Sequence, residues 1–128
     1  MYGTATGLDD LLQTLRTGLP IAIFDDVRER LEIPAANLAS ILSIPTRTLT
    51  RRRSSGRLDH LESERLYRVT RILDRAVDVL GDESKARTWM LAPAAALGGH
   101  TPLDYTGSEL GASEVFNLLG RLEHGVYP

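Results

Sequence analysis

The residues best suited to recognition chemistry stand together in one run: Thr46, Arg47, Thr48, Thr50, Arg51, Arg52 and Arg53. Hydroxyl and guanidinium groups at that density donate hydrogen bonds to base edges and pair with phosphates, and they break no bonds. Catalytic arrangements are much harder to assemble. Histidines stand at 60, 100 and 124 with no HExxH arrangement and no His pair at helical spacing, so no metal site is predicted. Gly98-Gly99 lacks the Lys-Ser/Thr that a phosphate loop needs and reads as a turn. Ser113, Glu114 and His124 have the side chains of a nucleophile, an acid and a base, but their spacing does not align them. The chain is therefore expected not to be an enzyme, with neither a cofactor nor a small-molecule substrate.

The Thr/Arg run needs a frame to hold it against a nucleic acid. Immediately before it, Leu38-Ala39-Ser40-Ile41-Leu42 reads as a short helix and Ser43-Ile44-Pro45 as a tight turn. Leu49 faces inward from the second helix while Thr and Arg face out. That is the pattern of a helix-turn-helix, in which the first helix braces and the second enters the major groove. Charge agrees with it. The formal net charge of −2 hides −3 over residues 1–44, +5 over 45–75 (nine Arg against four acids) and −4 over 76–128. A basic centre on the same segment is the electrostatic footprint of nucleic-acid contact, and the acidic remainder suits a basic protein partner.

Helical periodicity accounts for most of the chain, and strand signals are nearly absent. Leu8, Leu11, Leu12 and Leu15 form an apolar stripe stopped at Gly18. Ile21, Phe24, Val27 and Leu31 repeat between Pro20 and Pro34, and Pro34 opens the helix of Leu38 and Leu42. Ser54-Ser55-Gly56 closes the Thr/Arg helix. The longest helix is predicted from about Asp59, at a capping box with Glu62, to Leu80. Its buried stripe is expected to be Leu58, Leu61, Leu66, Val69, Leu73, Ala76 and Leu80, with Glu64 and Arg68 paired on the solvent side. A further helix starts at Asp82 and carries Trp89, expected as a core anchor. Gly99, Pro102 and Gly111 are expected to set turns, and His60 and His100 to cap or lie on the surface. A last helix carries Val115, Leu118, Leu119 and Leu122. The division expected is 1–57 for the helix-turn-helix domain and 58–128 for a second helical domain, joined by the long helix.

Zero Cys excludes disulfides and fits a reducing compartment. No apolar run approaches about 20 residues, and Met1–Gly7 has no basic-then-apolar leader pattern. The expectation is a cytoplasmic protein with no membrane span.

Several spaced segments, in order, resemble the Xre/ParS/MbcA-type antitoxins paired with RES-domain toxins in bacterial type II toxin–antitoxin modules. These are Thr48 to Arg53, then Leu58 and Glu62-Ser63-Glu64-Arg65-Leu66, and Ala86 with Trp89-Met90-Leu91-Ala92-Pro93. Leu97-Gly98-Gly99-His100-Thr101-Pro102-Leu103-Asp104, Gly111 to Val115 and Leu118 to Gly125 complete them, so that the similarity spans residues 20–128. The resemblance implies an all-α protein, an Xre-like helix-turn-helix module joined by a long helix to a small toxin-binding module. It implies a non-enzymatic antitoxin that covers the NAD pocket of a toxin, one that degrades NAD or ADP-ribosylates a protein. It also implies that the antitoxin represses its own operon as a dimer. Carried over by position, the toxin-facing residues are Arg121, Glu123, His124, Val126, Tyr127 and Pro128, and the DNA-facing ones are the Thr/Arg run. A short apolar tail ending in a carboxylate matches known modes of terminal capture. The chain departs from the Xre pattern at Ser43, where the turn usually has Gly, and a positive φ there strains a residue with a Cβ. The alternative is a helix-turn-helix repressor whose C-terminal module dimerises and meets no toxin.

Overall fold

The structure is a computed structural model and describes residues 5–125, the side chains from residue 7 onward. Its helices follow the chain's proline, glycine and acid punctuation. α1 (Ala5–Thr17) ends at Gly18, and α2 (Ile21–Leu31) begins behind Pro20. α3 (Ala35–Ile41) follows Pro34, and α4 (Thr46–Ser55) runs from Pro45 to Gly56. α5 (His60–Leu80) is the longest, and its Asp59–Glu62 capping box forms with both hydrogen bonds present. α6 (Glu83–Leu91) is capped by Asp82, α7 (Pro102–Thr106) by Thr101, and α8 (Glu109–Glu123) by Ser108. A single 3₁₀ turn, Ala95–Leu97, lies between α6 and α7. Among the described residues the chain is all-α, with one isolated antiparallel bridge between Pro20 and Arg57.

α5 is the spine. It packs against α1, α6, α7 and α8, while α2 contacts α3 and α6, and α3 contacts α4 and α7. Buried residues from α1 through α8 form one contiguous cluster, centred on Leu66, Val69, Ile72, Leu73 and Ala76 of α5. Polar contacts tie the N-terminal helices to the C-terminal ones. Arg30 of α2 pairs with Asp74 of α5 at 2.8 Å and with Glu83 of α6. Arg87 of α6 donates to the Arg30 carbonyl at 2.8 Å. Ser63, fully buried, accepts the Leu19 N–H at 2.8 Å, which satisfies both groups away from water.

Several expectations need correction. Leu11 and Leu15 are buried, but Leu8 and Leu12 are exposed, because α1 packs chiefly on α5 and its contact arc is too narrow for four leucines. Leu61 is exposed as well: at the first turn of α5 the inward side is taken by Glu62 and Ser63, and the core residue that the periodicity missed is Ile72. Glu64 does not pair with Arg68. Arg68 donates to the Thr106 and Gly107 carbonyls at 3.1 and 3.3 Å, capping α7, and Glu64 lies 3.4 Å from His60. Pro102 opens a helix instead of a turn, and Gly111 lies inside α8. A Cβ at Gly111 would fall 2.1 Å from the Tyr105 carbonyl oxygen, so the residue is small to let α7 and α8 meet. Trp89 is half-buried against the core, and His60 opens α5 with Nδ1 3.2 Å from the Leu15 carbonyl. His100 is exposed beside the Tyr105 ring.

Candidate nucleic-acid interface and C-terminal binding face

α3, the turn at Ser43 and α4 make the helix-turn-helix. Ser43 adopts φ +58°, the left-handed conformation that the departure from Gly makes costly. Leu38, Leu42 and Ile44 are buried under it, and Leu49 pins α4 inward. The opposite side of α4 carries Thr46, Arg47, Thr50 and Arg51, all exposed, with Thr48 at its edge. Arg47 and Arg51 make no ion pair or hydrogen bond among the described residues. The Thr50 hydroxyl donates to the Thr46 carbonyl at 3.2 Å. Pro45 provides no side-chain cap, so the first amides of α4 stay open toward an anion.

Two of the seven residues in the run are engaged elsewhere. Arg52 donates from Nε and Nη2 to Glu62 at 2.8 and 3.2 Å and from Nη2 to Asp59 at 3.2 Å. Its guanidinium therefore clamps the end of α4 to the start of α5 and faces away from the outward side. Arg53 makes a two-point contact with Asp25 of α2, at 2.9 and 3.1 Å, and stacks over the Phe24 ring. That contact holds the Asp25 carboxyl below its ordinary value, with Arg28 adding to the effect. Sequence reasoning placed all four arginines of the run on the DNA side, since charge density alone does not reveal which acids lie across the fold. Glu62, three residues after the capping Asp59, was the available signal: a buried carboxylate needs a cationic partner.

The second surface is the outward side of α8. Arg121 is half-buried and His124 has a 76% exposed side chain. Glu123 is not free: Arg75 of α5 grips its carboxylate, with one contact at 3.0 Å, and holds its pKa below the ordinary value. Val126, Tyr127 and Pro128 lie outside the described residues. Ser113 lies in α8 and His124 follows the end of that helix, eleven residues on, about 16 Å along its axis. They therefore form no catalytic pair. Among the described residues no group of His, Cys, Asp or Glu is arranged to hold a metal ion, and no helix is long and apolar enough to cross a membrane. The sequence reading also missed Arg71, which stacks over Tyr67 and Phe116 with ring-centroid distances of 6.0 and 5.3 Å. The Tyr67–Arg71 spacing of i, i+4 was its legible half.

Two domain models match the chain. Residues 10–71 match the model for the antitoxin Xre-like helix-turn-helix domain, and residues 75–125 match that for the antitoxin Xre/MbcA/ParS C-terminal toxin-binding domain. An antitoxin Xre of Yersinia enterocolitica is 42% identical over 119 residues, covering 91% of this chain and 80% of the relative. An antitoxin Xre of Photorhabdus laumondii is 39% identical, over 88% of this chain and 77% of the relative. One of Pseudomonas putida is 32% identical, over 64% of this chain and 52% of the relative. With a helix-turn-helix that presents Arg47 and Arg51, a spine helix and a helical C-terminal module, the chain belongs to the Xre/MbcA/ParS antitoxin family.

Proposed function

We propose that this chain is the antitoxin of a bacterial type II module whose toxin is a RES-domain, NAD-consuming protein. It silences the toxin by covering the entrance of the NAD pocket and performs no chemistry itself. The observation that carries this reading is the match of residues 75–125 to the toxin-binding domain, whose last helix α8 turns Glu114 and Asn117, and its C-cap His124, to solvent. A pocket for the pyrophosphate of NAD is lined with cations, and residues 76–128 carry a net −4. Opposite charges speed encounter and orient the partners. Arg121, His124, Val126, Tyr127 and Pro128 are the residues assigned to toxin contact. Glu123 contributes by holding the end of α8 to Arg75, not by standing in for a phosphate.

The helix-turn-helix completes the proposal. Thr46, Arg47, Thr48, Thr50 and Arg51 face operator DNA, with Arg47 reading a base edge and Arg51 a phosphate. Arg52 and Arg53 shape the domain that presents them. A homodimer places two α4 helices about one DNA turn, roughly 34 Å, apart and calls for a palindromic operator.

The test is to express the product of the adjacent gene with and without this chain, following growth and cellular NAD. Growth arrest with NAD loss, relieved by this chain, is expected. Arrest without NAD loss replaces NAD degradation with a modified protein target. No arrest leaves the helix-turn-helix repressor and overturns the antitoxin reading. Removing Val126–Pro128 is expected to relieve inhibition more than it weakens association; full neutralisation by the truncated chain would show that the body of the module suffices.

A further inference from the structure

The end of α3, where the turn of the helix-turn-helix begins, rests on the C-terminal module. Pro45 has no N–H for the Ile41 carbonyl four residues earlier. That carbonyl meets Gly107 instead: a Cβ on Gly107 would lie 3.1 Å from its oxygen. Gly107 caps α7 with φ −64° and ψ −18°, angles open to any residue, so close approach and not backbone conformation calls for glycine there. The Leu42 carbonyl, next in the chain, accepts from Arg65 Nη1 at 3.3 Å. Three residues along α5, Arg68 donates to the Thr106 and Gly107 carbonyls. Two arginines of the spine thus hold the end of α3 and the end of α7 side by side.

These contacts cross from one matched segment to the other. α3, α4 and Arg65 lie within residues 10–71, and Gly107 lies within 75–125. Ser43 follows Leu42 at φ +58°, and α4 starts three residues later at Thr46. So short a turn passes a displacement of the Leu42 carbonyl to the start of α4, the end that carries Arg47, because close-packed interiors transmit strain. A base-edge hydrogen bond from Arg47 needs its helix placed to within about 0.5 Å. A phosphate contact from a long, exposed arginine tolerates such a shift.

We propose that Arg65 and Gly107 are positioning residues for DNA reading, resting on the reading that α4 meets operator DNA. They set α4 against the groove from the α7 side without touching the nucleic acid. The C-terminal module is thereby part of the DNA-reading head, and sequence preference depends on the α3–α7 junction.

The experiment titrates the full-length chain with two duplexes of equal length, the region upstream of its own gene and a scrambled copy, over a series of salt concentrations. Arg65→Ala and Gly107→Val are each expected to lower affinity for the upstream duplex about tenfold, the worth of one base contact, and for the scrambled duplex less than twofold. The salt slope should stay at the parent's value, and Arg65→Lys, which keeps a donor and the charge, should recover the preference. Partial unfolding would weaken both duplexes by one factor, so the ratio of affinities separates positioning from lost stability. If both variants keep the parent's ratio within twofold, the positioning role is refuted and the DNA reading stands. If Arg65→Ala weakens both duplexes alike and lowers the salt slope by about one, Arg65 meets a phosphate itself and the proposal is overturned. If the parent chain shows no preference between the duplexes, the DNA reading of α4 fails and this inference falls with it.

Discussion

Replacing Arg52 by Ala separates an arginine that builds the domain from one that meets DNA. The Arg52 side chain is 20% exposed and that of Glu62 only 8%, and the two share contacts of 2.8 and 3.2 Å. Without the guanidinium, Glu62 keeps the capping-box hydrogen bond from the Asp59 N–H, at 2.9 Å, but no cation. A hydrogen bond to a charged group contributes about 1.5–3 kcal/mol. Stranding one partner of a fully desolvated pair costs about 3–5 kcal/mol. Because Arg52 still reaches solvent, the loss belongs near the lower figure, about 2 kcal/mol, or a fall in Tm of roughly 6–8 °C for a domain of this size. Arg51→Ala should behave oppositely: Arg51 is exposed and unpaired among the described residues, so Tm should stay within about 1 °C. Its loss should instead lower the slope of log K for operator DNA against log salt by about one. Circular-dichroism melts and a salt series of DNA titrations measure both variants. If Arg52→Ala leaves Tm unchanged and lowers the salt slope as much as Arg51→Ala does, the guanidinium leaves Glu62 for a phosphate. The division drawn here would then be wrong.

Three further outcomes follow from backbone and charge. Ser43→Gly relieves the left-handed residue at φ +58° and should raise stability by about 0.5–1 kcal/mol in denaturant titrations; a loss of stability would show that the turn carries no strain. Gly18→Ala should destabilise strongly, by more than about 2 kcal/mol, because φ is +106° there and a Cβ would lie 2.0 Å from the Leu58 carbonyl oxygen; an unchanged melt would contradict that geometry. Acid should lower the stability of the chain in a defined window, since Arg53 holds the Asp25 carboxyl, and Arg30 the Glu83 carboxyl, below their ordinary values. Groups with depressed folded pKa contribute stability that is complete above the ordinary carboxylate value of about 4 and fades as the pH falls through the folded values. Denaturation midpoints that stay level from pH 5 to pH 2.5 would refute the contribution of these pairs.

Which parts of this architecture could be read in advance follows from the range of the forces involved. Local rules located the helices. Pro20, Pro34 and Pro45 precede helix starts, Gly56 and Gly81 end them, and the Asp59–Glu62 box forms as its spacing requires. The turn itself was legible in Ser43-Ile44-Pro45, whereas its left-handed residue was implied only by the family resemblance, because a Cβ disfavours that conformation. α7 was missed: its five residues, Pro102–Thr106, are too few for a periodic pattern.

The amino-acid sequence by itself determined an all-α chain, a helix-turn-helix with a Thr/Arg face, and a basic centre between acidic flanks, because helix periodicity, capping and charge are properties of neighbouring residues. The tertiary structure alone decided which arginines remain available and which leucines stay outside. Arg52 and Arg53 are taken by Glu62 and Asp25, Arg68 by the end of α7, and Glu123 by Arg75, while Arg47 and Arg51 keep their donors free among the described residues. Leu61 and Leu110 face water, and Ile72 fills the core. Those outcomes depend on partners as many as 48 residues away along the chain. Ion pairs and burial arcs are properties of the packed helices together, and no local pattern encodes them.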